Sequence, residues 1–437
     1  MTGWAAPWFL RGMPPLPRRL ARRCALAAPL LLAGAGLARA QLPVEPVGAS
    51  VRLTAPLSPH LVWSSDAILR RMALADLESG RMLGVVDGGW GITTGIFSRR
   101  RPEFYVPETH YSRGSRGVRT DVVTIYDALT LAPTGEIVIP PKRAMNPLPG
   151  ANAALSDDDR FLAVFDMTPA TSISIVDLER RRFVGEISTP GCGLVYAAGP
   201  RRFVMPCADG ALLTVALGDD GSELAKRRSA PFFDPGSDPV TEKAVRHGDT
   251  WLFVSFAGMV HPVDVSGAEP AFPAPWPLLD DADRRDSWRI GGSQHLALHQ
   301  KTGRLYSLVH QGGPDTHKDP GTELWVYDLA SRQRVQRIRM HNPGLTYLGQ
   351  PMEFGADWIW PFSHLYDWLL DMLGAKLGVG EVAVTQDDHP LLVTGSNFSG
   401  SVGVYDALSG ELLRRIAVGN MTTLALAVPW QTLEATR

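Results

Sequence analysis

Along most of the chain, a run of five or six largely apolar residues ends in an aspartate, passes a polar turn and returns as a second apolar run. The clearest copies are MALADLESGRMLGVV with Asp76, VVTIYDALTLAPTGEIVI with Asp127, SISIVDLERRRFVGEI with Asp177, ELWVYDLASRQRVQRI with Asp328 and SVGVYDALSGELLRRI with Asp406. Weaker copies are LLTVALGDDGSELAK near Leu217 and MVHPVDVSGAEPAF with Asp264. Apolar residues alternate before the aspartate with period two, which predicts a strand with one buried face. The turn that follows offers a side-chain acceptor and, in several copies, a glycine suited to φ > 0, so each phrase reads as a β-hairpin. A further strand precedes several hairpins, as in DDDRFLAVFD (157–166), GDTWLFVSFA (248–257), KTGRLYSLVH (301–310) and DDHPLLVTGS (387–396). Asp76 and Asp127 are 51 residues apart, and Asp127 and Asp177 are 50 apart. Three or more strands recurring at that period describe a propeller blade, and seven copies predict an all-β, seven-bladed β-propeller. HLVWSS (60–65) belongs to the first blade or closes the ring. The repeated aspartates read as turn acceptors rather than catalytic acids.

Two segments break the rhythm. Residues 1–40 have paired arginines at 18–19 and 22–23, an apolar run over 24–37 and a small-residue end, Ala38-Arg39-Ala40. That order is a cleaved export signal, and its apolar run is shorter than the ~20 residues of a spanning helix. The alternative is an uncleaved anchor. The predicted organisation is a signal peptide (1–40) and a single propeller (41–437). The second break is residues 349–378, GQPMEFGADWIWPFSHLYDWLLDMLGAKLG, between the sixth and seventh blades. Trp358, Phe362, Leu365, Leu369 and Met372 recur at helical spacing, with Asp367 and Asp371 on another face. This predicts a helix that either covers a propeller face or docks a partner protein. An acidic polar face argues against a membrane surface.

Charge and cysteine content narrow the picture. The first 40 residues hold six arginines and no acid, so their removal takes the formal charge from −2 to −8. Such a chain lacks the excess cations that nucleic-acid binding requires. Of three cysteines, Cys24 leaves with the signal, while Cys192 and Cys207 remain as one disulfide or two buried thiols. Candidate chemistry is sparse. Eleven histidines are scattered, and only His295 and His299 are closely spaced, in a strand-like stretch where a structural pair is the simpler reading than zinc ligation. No G-x-S-x-G, H-E-x-x-H or P-loop is present. DGGWG (87–91) follows a strand but opens no helix, so it is no nucleotide site.

Longer phrases carry a family resemblance: GVVDGGW (84–90), YSRGSRGVRTDVVTIYD (111–127), PGCGLVYAAGPRRFVMPCADGAL (190–212), DDADRRDSWRIGGSQHLALHQKTGRLYSLVHQ (280–311) and HKDPGTELWVYDL (317–329). In order and approximate spacing, over about residues 50–425, the chain resembles the heavy subunit of quinoprotein amine dehydrogenases, methylamine dehydrogenase above all. The resemblance implies a seven-bladed propeller in a periplasmic heterotetramer of two heavy and two light chains. It implies that the light chain carries tryptophan tryptophylquinone and takes a primary amine to aldehyde and ammonia. Electrons then pass to a blue-copper protein such as amicyanin or azurin. This chain would bind no cofactor or metal and supply no catalytic residue. Cys192 and Cys207 match the family's intrachain disulfide. Trp90 stands where the family commonly has a phenylalanine lining the amine channel at the subunit interface, which implies a channel of altered shape. The 349–378 insertion departs from the family, and Trp358, Phe362, Leu365 and Leu369 are its partner-docking candidates. The alternative function is a non-catalytic exported propeller that has lost its light chain. A self-contained hydrolase would need ligands converging on the axis, and the sequence shows no such cluster.

Overall fold

In the computed structural model, seven antiparallel sheets of four or more strands succeed one another along the chain. The structure describes residues 52–53, 57–66, 68–91, 94–145, 151–341, 346–347, 350–351, 378–396, 400–418 and 425–427. The export signal and the docking candidates Trp358, Phe362, Leu365 and Leu369 lie outside the described residues. A two-stranded pairing, Thr346–Tyr347 with Gln350–Pro351, follows the sixth blade.

Most blades are built from consecutive strands, inner to outer. The third blade runs Ala153–Leu155, Phe161–Asp166, Ser172–Asp177, Arg182–Ser188. The first blade differs. Its Leu61–Asp66, Arg71–Asp76 and Met82–Asp87 strands take their innermost neighbour, Ala425–Ala427, from the other end of the sequence. HLVWSS therefore supplies a second strand, and Ala425–Ala427 closes the ring.

The aspartate hairpins join the third and outermost strands of a blade. Asp127 Oδ1 accepts from the backbone N–H of Leu129 and Thr130 at 2.9 and 2.8 Å. Asp406 Oδ1 accepts likewise from Leu408 and Ser409 at 3.0 and 2.6 Å. Asp177 also takes two backbone N–H groups, and Asp76, Asp264 and Asp328 take one each in their own turns. Four residues after the aspartate, the backbone turns left-handed at Gly80, Leu131, Arg181, Arg332 and Gly410, with φ between 49° and 78°. Glycine, which adopts that conformation at no steric cost, occupies only two of the five positions. A bulge recurs one or two residues before the aspartate, at Leu74/Ala75, Ile125/Tyr126, Ile175/Val176, Val326/Tyr327 and Val404/Tyr405. It adds twist where the outer strand leaves the blade.

The prediction of one buried face for the strand before the aspartate is corrected. Ser172–Asp177 is buried throughout, as is the adjacent inner strand Phe161–Asp166, because blades stack face to face. Its polar positions are small residues satisfied inside the stack, Ser174 Oγ donating to Asp166 Oδ2 at 2.7 Å. True alternation survives only at the rim, for example over Gln333–Arg339. Among the described residues, seven apolar clusters, each shared mostly by adjacent blades, form the core, with Phe161, Phe165, Phe203 and Met205 in one of them.

Candidate functional site around Trp90

Trp90 stands in the connection between the outer strand of the first blade, Met82–Asp87, and the first strand of the second, Ile96–Phe97. The Asp-Gly-Gly that precedes it has a local cause. Asp87 Oδ1 accepts from Gly89 N at 3.0 Å, and Gly89 has φ +65°. A Cβ there would meet Thr109 O at 2.9 Å, so only glycine fits.

Both backbone groups of Trp90 are tethered. Its N–H donates to Thr109 O at 2.7 Å, and its carbonyl accepts from Arg143 Nη2 at 3.4 Å. The indole is half-buried. Arg70, at the tip of the Asp66–Arg71 hairpin, lays its guanidinium 3.7 Å from the ring centroid, within cation–π range. Tyr111 meets the ring edge-on at 6.1 Å. Ile68 and Leu69, beside Arg70, are exposed, as are Met82 and Val85 on the outer strand. The exposed apolar pair Ile68 and Leu69 thus flanks the arginine that stacks on this half-open aromatic.

Beneath this surface lies a buried ionic layer. Asp121 is fully buried. It accepts from Arg119 Nε and Nη2 at 2.8 and 2.6 Å, from Arg143 N at 2.9 Å and from Thr109 Oγ1 at 3.0 Å. Arg143 is 4 % exposed and donates through Nε to Thr109 Oγ1 at 3.1 Å. Burial lowers its guanidinium to about 10, against the pull of Asp121. Burial pushes Asp166 up to about 7, and it raises Glu108, beside the Trp90 loop, above its ordinary value. Thr124 Oγ1 and Tyr126 OH donate to Glu108 at 2.5 and 3.3 Å. These groups face one another, so their work is to fix the loop above them.

The other predicted residues fall elsewhere. Cys192 and Cys207 form a disulfide, buried where the chain enters the fourth blade. The two histidines do not converge on one ligand. His299 is satisfied at both nitrogens, by Thr302 Oγ1 at 2.8 Å and Asp387 O at 3.0 Å. His295 has one partner, Thr241 Oγ1 at 3.0 Å, and its Nδ1 has none among the described residues. The described residues contain no group of three or more His, Cys, Asp or Glu able to hold a metal. Sequence reasoning missed Arg70 and Arg143. Neither belongs to the hairpin repeat, and only folding brings them to Trp90.

The family model for the methylamine dehydrogenase heavy chain matches residues 66–343. The chain belongs to that family. Trp90, its mounting residues and the disulfide all lie inside the match. The chain is 27 % identical to the methylamine dehydrogenase heavy chain of Paracoccus versutus over 80 % of its own length and 74 % of the relative's. It is 26 % identical to that of Methylophilus methylotrophus, over 78 % and 75 %. Solved structures share the fold at low identity. A protein of unknown function from Desulfotomaculum acetoxidans superposes with a TM-score of 0.54 at 10 % identity, covering 85 % of this chain and 99 % of that one. The Swd1 β-propeller domain of Myceliophteria thermophila gives 0.51 at 11 %, covering 80 % and 94 %. Their likeness concerns architecture alone.

Proposed function

We propose that this chain is the heavy subunit of a tryptophan tryptophylquinone-dependent amine dehydrogenase, exported to the periplasm by its first 40 residues. It houses a catalytic light chain in a complex of two heavy and two light chains. The complex oxidises a primary amine to aldehyde and ammonia, and a blue-copper protein takes the electrons. The observation that carries this reading is Trp90. It is mounted at both backbone groups, half-open and stacked by Arg70 beside the exposed Ile68 and Leu69, on a chain of the methylamine dehydrogenase heavy chain family. Among the described residues no helix is long and apolar enough to cross a membrane.

When present in the light chain, the quinone supplies the two-electron oxidation. This chain's residues do the rest of the work assigned to it. Ile68 and Leu69 exclude water beneath the partner. The Trp90 indole forms one wall of the amine entrance, and Arg70 fixes the plane of that wall. The bulk of the indole limits the length of amine that passes. The Arg70 charge disfavours substrates carrying a second cation. Substrate selection through packing is worth ~1–3 kcal/mol per methylene.

Pull-down of the exported chain tests the reading. A copurifying small subunit with quinone absorbance and amine-dependent dye reduction is expected, and the isolated heavy chain should reduce no dye. A partner complex without quinone absorbance or amine oxidation overturns the proposal.

A further inference from the structure

Away from Trp90, a second polar site lies between the fifth and sixth blades. The segment Thr241–Lys243 leads into the fifth blade, Gly292–His295 links two strands of the sixth, and His317–Lys318 comes from a sixth-blade loop. Together they line a cavity whose depth offers ≈ 10 Å³ to the centre of a water-sized sphere. That is room for about one water or one ion of similar size.

The groups around it are unevenly supplied with partners. His295 is 0 % exposed and its Nδ1 is unpartnered. His317, stacked on Phe256 with ring centroids 3.5 Å apart, has an unpartnered Nδ1 as well. Lys243 spends one N–H on Glu242 at 3.2 Å, which leaves two of its three donors. Lys318 is exposed at the mouth, and none of the ion pairs or hydrogen bonds of the described residues engages its amine. Ser293 lines the wall, and its hydroxyl is engaged by Gly380 O and Glu381 Oε1, each at 3.1 Å. Of the charged groups that line the cavity, two are lysines and one is a carboxylate, Glu242, so spare donor capacity remains on the lysines.

We infer that this cavity binds a single halide-sized monovalent anion, held between Lys243 and Lys318 and seated on the imidazole of His295. The electrostatics agree. Burial lowers His295 to about 3 and Lys243 adds to the effect. Burial and Lys318 together lower His317. Lys318 also counts among the groups that lower Lys243, behind burial. Burial raises Glu381, which reduces the negative charge beneath the site. Lys243 and Lys318 both pull the lining carboxylate Glu242 down against burial, and with that single carboxylate between two lysines one anion completes the balance of charge. It would also link the fifth blade to the sixth.

Bromide is the probe, on the full mature chain, with its partner where one copurifies. Crystals soaked in bromide and measured at the bromine absorption edge are expected to show an anomalous peak within hydrogen-bond range of Lys243 Nζ and His295 Nδ1. In halide-free buffer, bromide titration should raise the unfolding midpoint saturably. Lys318→Gln changes an exposed side chain and leaves the fold intact, and it should weaken bromide binding about tenfold, as expected for one lost charge interaction of about 1.4 kcal/mol. An ordered water without anomalous signal overturns the proposal. So does a bromide affinity unchanged by Lys318→Gln.

Discussion

Replacing Asp121 by Asn tests whether the ionic layer under Trp90 is a structural mount. The carboxylate is fully buried and takes four hydrogen bonds, two of them charge-assisted from Arg119. Asparagine keeps the shape but offers one acceptor oxygen. Its NH₂ would then face either the Arg119 Nη2 and Arg143 N–H donors or the Arg119 Nε and Thr109 donors. Arg119 loses its counter-ion, with a side chain only 20 % exposed, and the pull of Asp121 that steadies buried Arg143 disappears. Removing one partner of a buried pair costs about 3–5 kcal/mol. Partial exposure of Arg119 places this case near 3 kcal/mol. Denaturant unfolding at pH 7 should show the midpoint falling with an unchanged slope. Asp406→Asn is the control. It sits in a rim turn and keeps an acceptor for Leu408 and Ser409, so its loss should stay below about 0.5 kcal/mol. Combining Asp121→Asn with Arg119→Met should recover part of the loss by removing the stranded charge. If Asp121→Asn and Asp406→Asn cost the same, or if the double variant is no better than the single, the ionic mount is refuted.

Other expectations follow from single contacts. Trp90→Ala in the amine-oxidising complex should change the ranking of primary amines by chain length at least tenfold in kcat/KM, by analogy with a lost methylene-scale packing restraint; an unchanged ranking removes Trp90 from the entrance. His60 links Glu78, at 2.6 Å in the first blade, to Asp387, at 3.0 Å in the seventh. Burial alone would lower its imidazole, but those two hydrogen bonds outweigh it and raise the value above 6.5. A raised folded-state value stabilises below the unfolded-state value near 6.5, and the contribution is lost as pH rises through the folded-state one. His60→Asn should therefore destabilise more at pH 5.5 than at pH 8.5, by less than about 1 kcal/mol because the pair is partly exposed. Equal losses at both pH values would dismiss the charge contribution. Arg332, exposed and left-handed at φ 57°, stands where two sister hairpins have glycine. Arg332→Gly should raise the unfolding midpoint by relieving ~1 kcal/mol of backbone strain, less the entropy glycine loses on folding. A lowered midpoint contradicts that account.

The hairpins were legible because each carries its own instructions. The aspartate, the two backbone donors after it and the left-handed residue four places on are all local, so Asp127 and Asp406 announce their turns without tertiary help. Burial of both strand faces was not legible. Ser172 and Ser174 look like a solvent-facing stripe until the neighbouring blade covers them and Asp166 and Glu186 take their hydroxyl protons. The closing strand Ala425–Ala427 was missed for a related reason. Three residues pairing with Trp63, Ser64 and Ser65 carry too short a pattern to stand out, and their partner is more than 350 residues away in the sequence.

The same distinction explains what could be read of the site. Trp90 was visible through Asp-Gly-Gly, because Gly89 answers a local constraint, the approach of Thr109 O within 2.9 Å of where a Cβ would stand. The residues that decide what the indole does are non-local. Arg70 reaches it from a hairpin tip whose own turn is held by Asp66, accepting from Ile68 and Leu69 N–H at 2.8 and 2.9 Å. Arg143 reaches the Trp90 carbonyl from beyond the second blade. A propeller places such residues together because neighbouring blades present their connections on common faces. Local turn chemistry therefore builds the ring, while the chemistry offered to a partner arises where two blades meet. That makes the blade boundary, rather than any single repeat, the unit in which this chain's function is written.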